Sequence, residues 1–108
     1  MSAEAFRRQL EALSAEYRGS LPGKLIEIDS LWRDLAGGMA KPDRMDDLQR
    51  ELHSIAGSAR TFGIAGVSEA AAAAESFLES FSKRHKLPDT AQQARFARLL
   101  DDLKRAAR

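Results

Sequence analysis

His53 is the residue of this chain whose type and setting best suit chemistry. If residues 43–62 form an α-helix, His53 points to the side opposite the apolar face, toward solvent. Gly57 falls one turn further along the same side, and Arg50 and Arg60 flank the imidazole. The sequence therefore predicts an exposed nucleophile beside a position that has no side chain, between two guanidinium groups.

Gly57 breaks a local rule at this position. A glycine inside a helix costs about 1 kcal/mol relative to alanine, and here an alanine would fit on the exposed face. Such a residue indicates that another molecule must approach closely. Because the neighbouring arginines favour an anion, we interpret His53 as an imidazole that carries or contacts a phosphoryl group. The alternative is a solvated histidine beside a tolerated glycine.

The rest of the chain is predicted to form helices that position this face. Apolar residues recur at spacings of three and four, and no run alternates as in a β-strand. We expect an all-α, antiparallel, up-down four-helix bundle with an additional short N-terminal helix. The predicted bundle helices cover about residues 21–36, 43–62, 65–85 and 89–107, and the N-terminal helix covers about residues 3–18.

Residues that begin and end helices set these bounds. Ser2, Ser20, Asp43 and Asp89 are suited to helix starts, and Gln92 completes a capping box with Asp89. Gly19 is predicted to end the N-terminal helix, and Pro22 is allowed in the first turn of the next one. The N-terminal helix would place its apolar stripe, Phe6, Leu10, Leu13 and Tyr17, against one end or side of the bundle.

The composition excludes several other kinds of site. The 108 residues, 44% hydrophobic and 31% charged, fit one globular domain spanning residues 1–108. A net charge of +1 gives no reason to bind nucleic acid or an anionic membrane. With no cysteine and two histidines that lack a zinc spacing, no metal site is expected. We find no signal or membrane-spanning segment and expect a cytoplasmic protein.

The segment from His53 to Gly63 resembles the motif of histidine-containing phosphotransfer (HPt) domains. In that motif a histidine is followed by glycine at the fourth and tenth positions after it, as Gly57 and Gly63 are here. The segment is also similar to the phosphoacceptor domain of chemotaxis histidine kinases. Glu75 lies 22 residues after His53, where the family usually has Glu or Gln on the following helix.

The resemblance implies a role for each residue of this face. His53 would accept a phosphoryl group on Nε2, and Glu75 would accept a hydrogen bond from Nδ1–H and so orient the ring. Gly57 would leave the imidazole open to the partner. The residues that could contact the phosphoryl group or the partner are Arg50, Ser54, Ser58, Arg60 and Thr61. For the three hydroxyl groups, solvation or local helix bonding is the alternative.

The resemblance also implies partners. The family exchanges phosphoryl groups with aspartates of receiver domains in response regulators, and histidine kinases, including hybrid ones, belong to the same relay. The receiver brings Mg²⁺ and a lysine, so this chain would need no cofactor of its own. We expect a monomeric carrier without kinase activity, since no nucleotide-binding loop is present in the sequence.

One residue departs from the family pattern. The family commonly has lysine three residues after the histidine, and this chain has Ala56. Arg60, on the same face, could supply the missing positive charge.

Two other functions stay open: the phosphoacceptor domain of a chemotaxis-type kinase, and a helical interaction adaptor whose His53 is never phosphorylated.

Overall fold

A computed structural model describes residues 2–38, 43–84 and 86–108, and within these ranges it contains four α-helices and no strand. The helices are α1 (Ala3–Ala36), α2 (Arg44–Thr61), α3 (Ala65–Lys83) and α4 (Thr90–Ala106). The predicted connection through residues 39–42 and the predicted helix end at residue 85 lie outside the described residues.

Contacts between the helices show that neighbours run antiparallel. Between α3 and α4, Gly66 lies beside Ala106 while Phe77 stacks on Phe96, so one helix ascends as the other descends. The same holds between α1 and α4, where an ion pair of 2.8 Å joins Asp29 to Lys104 while Trp32, further along α1, contacts Phe96, which comes earlier in α4. The four helices therefore form the predicted up-down bundle.

The predicted break at Gly19 does not occur, because α1 is continuous across residues 3–36. Proline inside a helix costs about 3 kcal/mol and glycine about 1 kcal/mol. Against this, four large side chains on both sides of Pro22 are buried on one stripe, and each gains about 1.5–3 kcal/mol. These residues are Tyr17, Leu21, Ile28 and Leu35. Core packing on a single stripe therefore outweighs the local preference to break.

Ser20 consequently does not cap a helix. Its hydroxyl donates a hydrogen bond of 2.6 Å to the carbonyl oxygen of Tyr17, inside α1. The other starts differ among themselves. Ser2 caps α1 through the backbone N–H of Ala5, and Asp89 and Gln92 form the predicted capping box, whereas Asp43 precedes α2 without a side-chain cap bond.

The first part of α1 extends beyond the bundle. A 34-residue helix is about 51 Å long, whereas α2, with 18 residues, is about 27 Å long. Phe6, Leu10 and Leu13 are exposed to 61%, 40% and 47%, so the expectation that they pack against the bundle is wrong. Tyr17, the last residue of that stripe, is buried and stacks on Phe62 at 5.2 Å between ring centroids.

The core lies between the apolar faces of all four helices, with α1 contributing its residues from Tyr17 onward. Trp32 packs edge-on against Phe96 at 4.5 Å between ring centroids. Small buried residues line the α2–α3 interface, which lets these two helices approach closely. The buried residues of α2, α3 and α4 are Met45, Leu48, Leu52, Ile55, Ala56, Ala59, Val67, Ser68, Ala71, Ala74, Leu78, Phe81, Phe96, Leu100 and Leu103.

A tight turn fixes α3 against α2. Gly63 has a φ of +74°, a left-handed conformation that favours glycine. Its N–H donates to the carbonyl of Arg60, and the N–H of Ile64 donates to the carbonyl of Ala59 at 2.8 Å. These two bonds form a Schellman motif, which reverses the chain within three residues. The turn sets the register of α2 against α3.

Candidate functional site

His53 and Glu75 meet across the α2–α3 interface. Nδ1 of His53 lies 2.7 Å from Oε1 of Glu75, a short hydrogen-bond distance. The His53 side chain is 76% exposed, whereas the Glu75 side chain is 21% exposed. A half-sheltered carboxylate thus holds one ring nitrogen while the rest of the imidazole faces solvent. This contact favours the tautomer with the proton on Nδ1 and a free lone pair on Nε2.

The register of the two helices explains this meeting. His53 lies ten residues before Gly63 and Glu75 lies twelve residues after it, so each is about 15–18 Å along its helix from the turn. Ser68 on α3 donates a hydrogen bond of 2.7 Å to the carbonyl oxygen of Ala56. The turn at one end and this buried bond in the middle hold Glu75 level with His53.

Gly57 leaves open space beside the imidazole. Among the described residues, and apart from the backbone of α2 itself, no heavy atom lies within 4 Å of a Cβ atom placed on Gly57, so no packing contact there requires glycine. Thr61 is exposed, and its hydroxyl donates a hydrogen bond of 3.1 Å to the carbonyl oxygen of Gly57. This is the local helix bonding that was one of the two interpretations of Thr61.

The two arginines lie on either side of His53 along α2. Arg50 is exposed, and its guanidinium contacts Asp47 at 3.4 Å. Arg60 is seven residues from His53, or about 10 Å along the helix. It lines an open groove of about 330 Å³ between α2 and α3. The other residues of this groove are Gly63, Ala65, Ser68, Glu69 and Ala72.

The family model for the Hpt domain matches residues 3–108 of this chain. The chain belongs to the Hpt domain family. Hpt domains carry phosphoryl groups on histidine in two-component phosphorelays, where they interact with receiver domains and histidine kinases, and they are carriers rather than enzymes. Searches of curated proteins and of solved structures found no match.

Two of the predicted docking residues, Ser54 and Ser58, differ in their exposure to solvent in this Hpt domain. Ser54 is exposed next to His53. Ser58 is half-buried and lies near Tyr17 of α1. Burial raises the pKa of the Tyr17 hydroxyl above its usual value, and a hydrogen bond from Ser58 lowers it by less. Ser58 therefore lies on the part of α2 that is close to α1.

Ala56 occupies the position where the family commonly has lysine. Its side chain is only 5% exposed and faces the α2–α3 interface, and its carbonyl accepts the bond from Ser68. A side chain that begins at this position starts inside the interface rather than on the open surface. The nearest exposed cation toward the end of α2 is Arg60, at the mouth of the groove described above.

Sequence reasoning missed the groups that hold the turn after His53. Three successive carbonyls accept side-chain hydrogen bonds: Ile55 from Tyr17 at 3.4 Å, Ala56 from Ser68, and Gly57 from Thr61. The one sequence signal for the role of Ser68 is that it lies seven residues before Glu75, which places both side chains on the same side of α3.

Two further properties concern metals and membranes. Among the residues that the structure describes, no group of three or more His, Asp or Glu side chains could hold a metal ion. None of the helices in these same ranges is long and apolar enough to cross a membrane.

Proposed function

We propose that His53 is the phosphoacceptor of this Hpt domain and that it exchanges its phosphoryl group with receiver-domain aspartates. The observation that carries this proposal is the contact of 2.7 Å between Nδ1 of His53 and Oε1 of Glu75 on an otherwise exposed ring. It accounts for which nitrogen is free to react.

The transfer needs little from this chain beyond a placed lone pair. Nε2 of His53 attacks the phosphorus of an aspartyl phosphate, the N–P bond forms and the P–O bond to the aspartate breaks. The leaving electron pair returns to the receiver carboxylate. The proton stays on Nδ1, so the phosphorylated ring is cationic, and Glu75 stabilises that charge.

The partner is proposed to supply the remaining charge neutralisation. Mg²⁺ bound by the receiver balances negative charge on the transferring group. On this chain, Gly57 gives the receiver room to reach the imidazole, and Ser54 and Arg50 lie on the same side of α2. Arg60 is proposed to attract the phosphoryl group from further along the helix. If Arg60→Ala leaves the transfer kinetics unchanged, this part of the proposal is wrong.

Direct phosphorylation tests the role of His53. The chain is incubated with the small donor phosphoramidate and then with a panel of unphosphorylated receiver domains. We expect an acid-labile, base-stable phosphoryl group on the chain that passes to at least one receiver. His53→Gln should abolish the label, whereas His85→Gln, which removes the other histidine of the sequence, should retain it.

The same experiment separates the other candidate functions. Binding to receivers without any label on the chain would support the interaction adaptor and contradict the proposed carrier. Efficient labelling by a chemotaxis-type kinase core with ATP, together with no exchange with receivers carrying aspartyl phosphate, would support the kinase phosphoacceptor domain instead.

A further inference from the structure

The transfer step proposed above uses no residue of the exposed stripe on the first part of α1. Phe6, Leu10 and Leu13 form it, and all three are at least 40% exposed. Beside it lies an open groove of about 310 Å³, lined by Leu13, Glu16, Tyr17, Ser20 and Phe62. The exposed ring of Phe6 and the open apolar groove at Tyr17 thus lie on the same helix, eleven residues apart.

In place of the monomer expected from the sequence, we propose that a second copy of this chain covers the stripe, with the two α1 helices packed antiparallel about a two-fold axis. In a two-fold interface the same patch of each copy contacts the other, so the protrusion on each chain can fill the groove on its partner. Phe6 of each copy would enter the groove of the other. Two contact types, Phe6 in the groove and Leu10 against Leu13, are each made twice and together cover all three exposed side chains.

The residue spacing specifies the pairing. Steps of four, three and four residues, from Phe6 through Leu10 and Leu13 to Tyr17, follow the seam of a two-stranded coiled coil. Antiparallel pairing on this seam places Leu10 opposite Leu13 of the second copy, and Phe6 opposite Tyr17. The second of these layers is where the groove lies.

The charges beside the seam select this register. With Leu10 opposite Leu13, Arg7 faces Ser14 of the other copy and Gln9 faces Glu16, so no like charges oppose each other. Shifting one helix by seven residues would bring the two copies of Arg7 together across the axis, which is unfavourable. The register that fills the groove is therefore also the one that avoids repulsion.

The proposed dimer leaves the phosphotransfer face accessible. His53 lies on the side of α2 that points away from the core, whereas α1 packs on the core side. Dimer formation and phosphotransfer are therefore separable properties, and either can fail without the other.

Sedimentation equilibrium of the full chain over low micromolar to millimolar concentrations tests the proposal. We expect the mass to rise from 11.9 kDa toward twice that value. Leu10→Glu should raise the dimer dissociation constant at least about a hundredfold, since the symmetry places two copies of the change in the interface. Ile26→Glu is the matched control, because Ile26 is 69% exposed elsewhere on α1 and should not alter the mass.

Cross-linking tests the register itself, and the chain has no cysteine to interfere. Mixing Leu10→Cys with Leu13→Cys under oxidation should give the mixed disulfide in excess over either homodimer. A chain that stays monomeric at every concentration would overturn the proposal. So would weaker receiver binding by Leu10→Glu in a monomeric protein, because the receiver would then be the occupant. Preferential cross-linking of either single variant to itself would overturn the register.

Discussion

The hydrogen bond between His53 and Glu75 allows a quantitative prediction with two substitutions. Glu75→Gln keeps an acceptor oxygen near Nδ1 and removes the negative charge. Glu75→Ala removes both. Because the contact with the exposed His53 ring is the one ion pair described for Glu75, neither change should alter the free energy of unfolding by more than about 1 kcal/mol.

The geometry sets the size of the effect. A hydrogen bond of 2.7 Å to a charged group contributes about 1.5–3 kcal/mol when sheltered from water. In the transition state the ring becomes cationic and this bond strengthens. Because the ring is 76% exposed, solvent screening limits the added stabilisation to about 1–1.5 kcal/mol. With about 1.4 kcal/mol per factor of ten, Glu75→Ala should lower the rate constant for phosphorylation of His53 roughly five- to tenfold. Glu75→Gln should lose about half of that free energy.

Two measurements check this prediction. Rapid-quench kinetics with phosphoramidate give the rate constant, and nitrogen-15 chemical shifts of the imidazole report the tautomer. We expect the Nδ1–H tautomer to lose population in Glu75→Ala while the fold is retained. Glu79→Gln is the control, since that carboxylate lies one turn further on and pairs with Lys83 at 3.0 Å. An unchanged rate and tautomer in Glu75→Ala would refute the orienting role.

Three further predictions concern stability and access. Gly57→Ala should stabilise the chain by about 0.5–1 kcal/mol and slow phosphoryl transfer to receivers. Gly19→Ala, which also adds a methyl group in open space on a helix, should stabilise the chain without slowing transfer. Equal transfer rates in the two variants would contradict the proposal that Gly57 gives the receiver access. Ser68→Ala should cost about 1 kcal/mol in urea unfolding with an unchanged m value, through loss of the buried bond to Ala56. The single tyrosine, Tyr17, should ionise with a midpoint above pH 10 in ultraviolet titration, because burial raises its pKa. Its contribution to stability is therefore present below pH 10 and lost as the pH rises through the folded pKa, a loss that Tyr17→Phe should not show.

The sequence predicted the parts of the fold that depend on local pattern and short turns. Apolar residues at spacings of three and four along α2, α3 and α4 are buried, as the helical periodicity predicts, and Glu75 lies within hydrogen-bond distance of His53. The family resemblance implied that contact, and the short turn at Gly63 explains it, because residues ten before and twelve after the turn lie nearly level.

The continuity of α1 could not be predicted in the same way. Gly19 and Pro22 are local helix breakers, but the burial of residues on both sides of them, such as Tyr17 and Ile28, keeps the helix continuous. Apolar periodicity could not predict the exposure of Phe6 either. An apolar stripe indicates a face that packs against something, but it does not say whether this chain or another molecule covers it.

The length of α1 gives one helix two regimes of local stability. Its last four turns are anchored by core contacts, so their amide hydrogens exchange with solvent only when the bundle unfolds. The first eleven residues have no such support, and an isolated helix of that length is marginal in water. Hydrogen exchange should therefore quicken steeply from Ile28 toward Phe6 in the dilute protein. Anything that covers the stripe would flatten this gradient, which makes exchange along α1 a readout of occupancy.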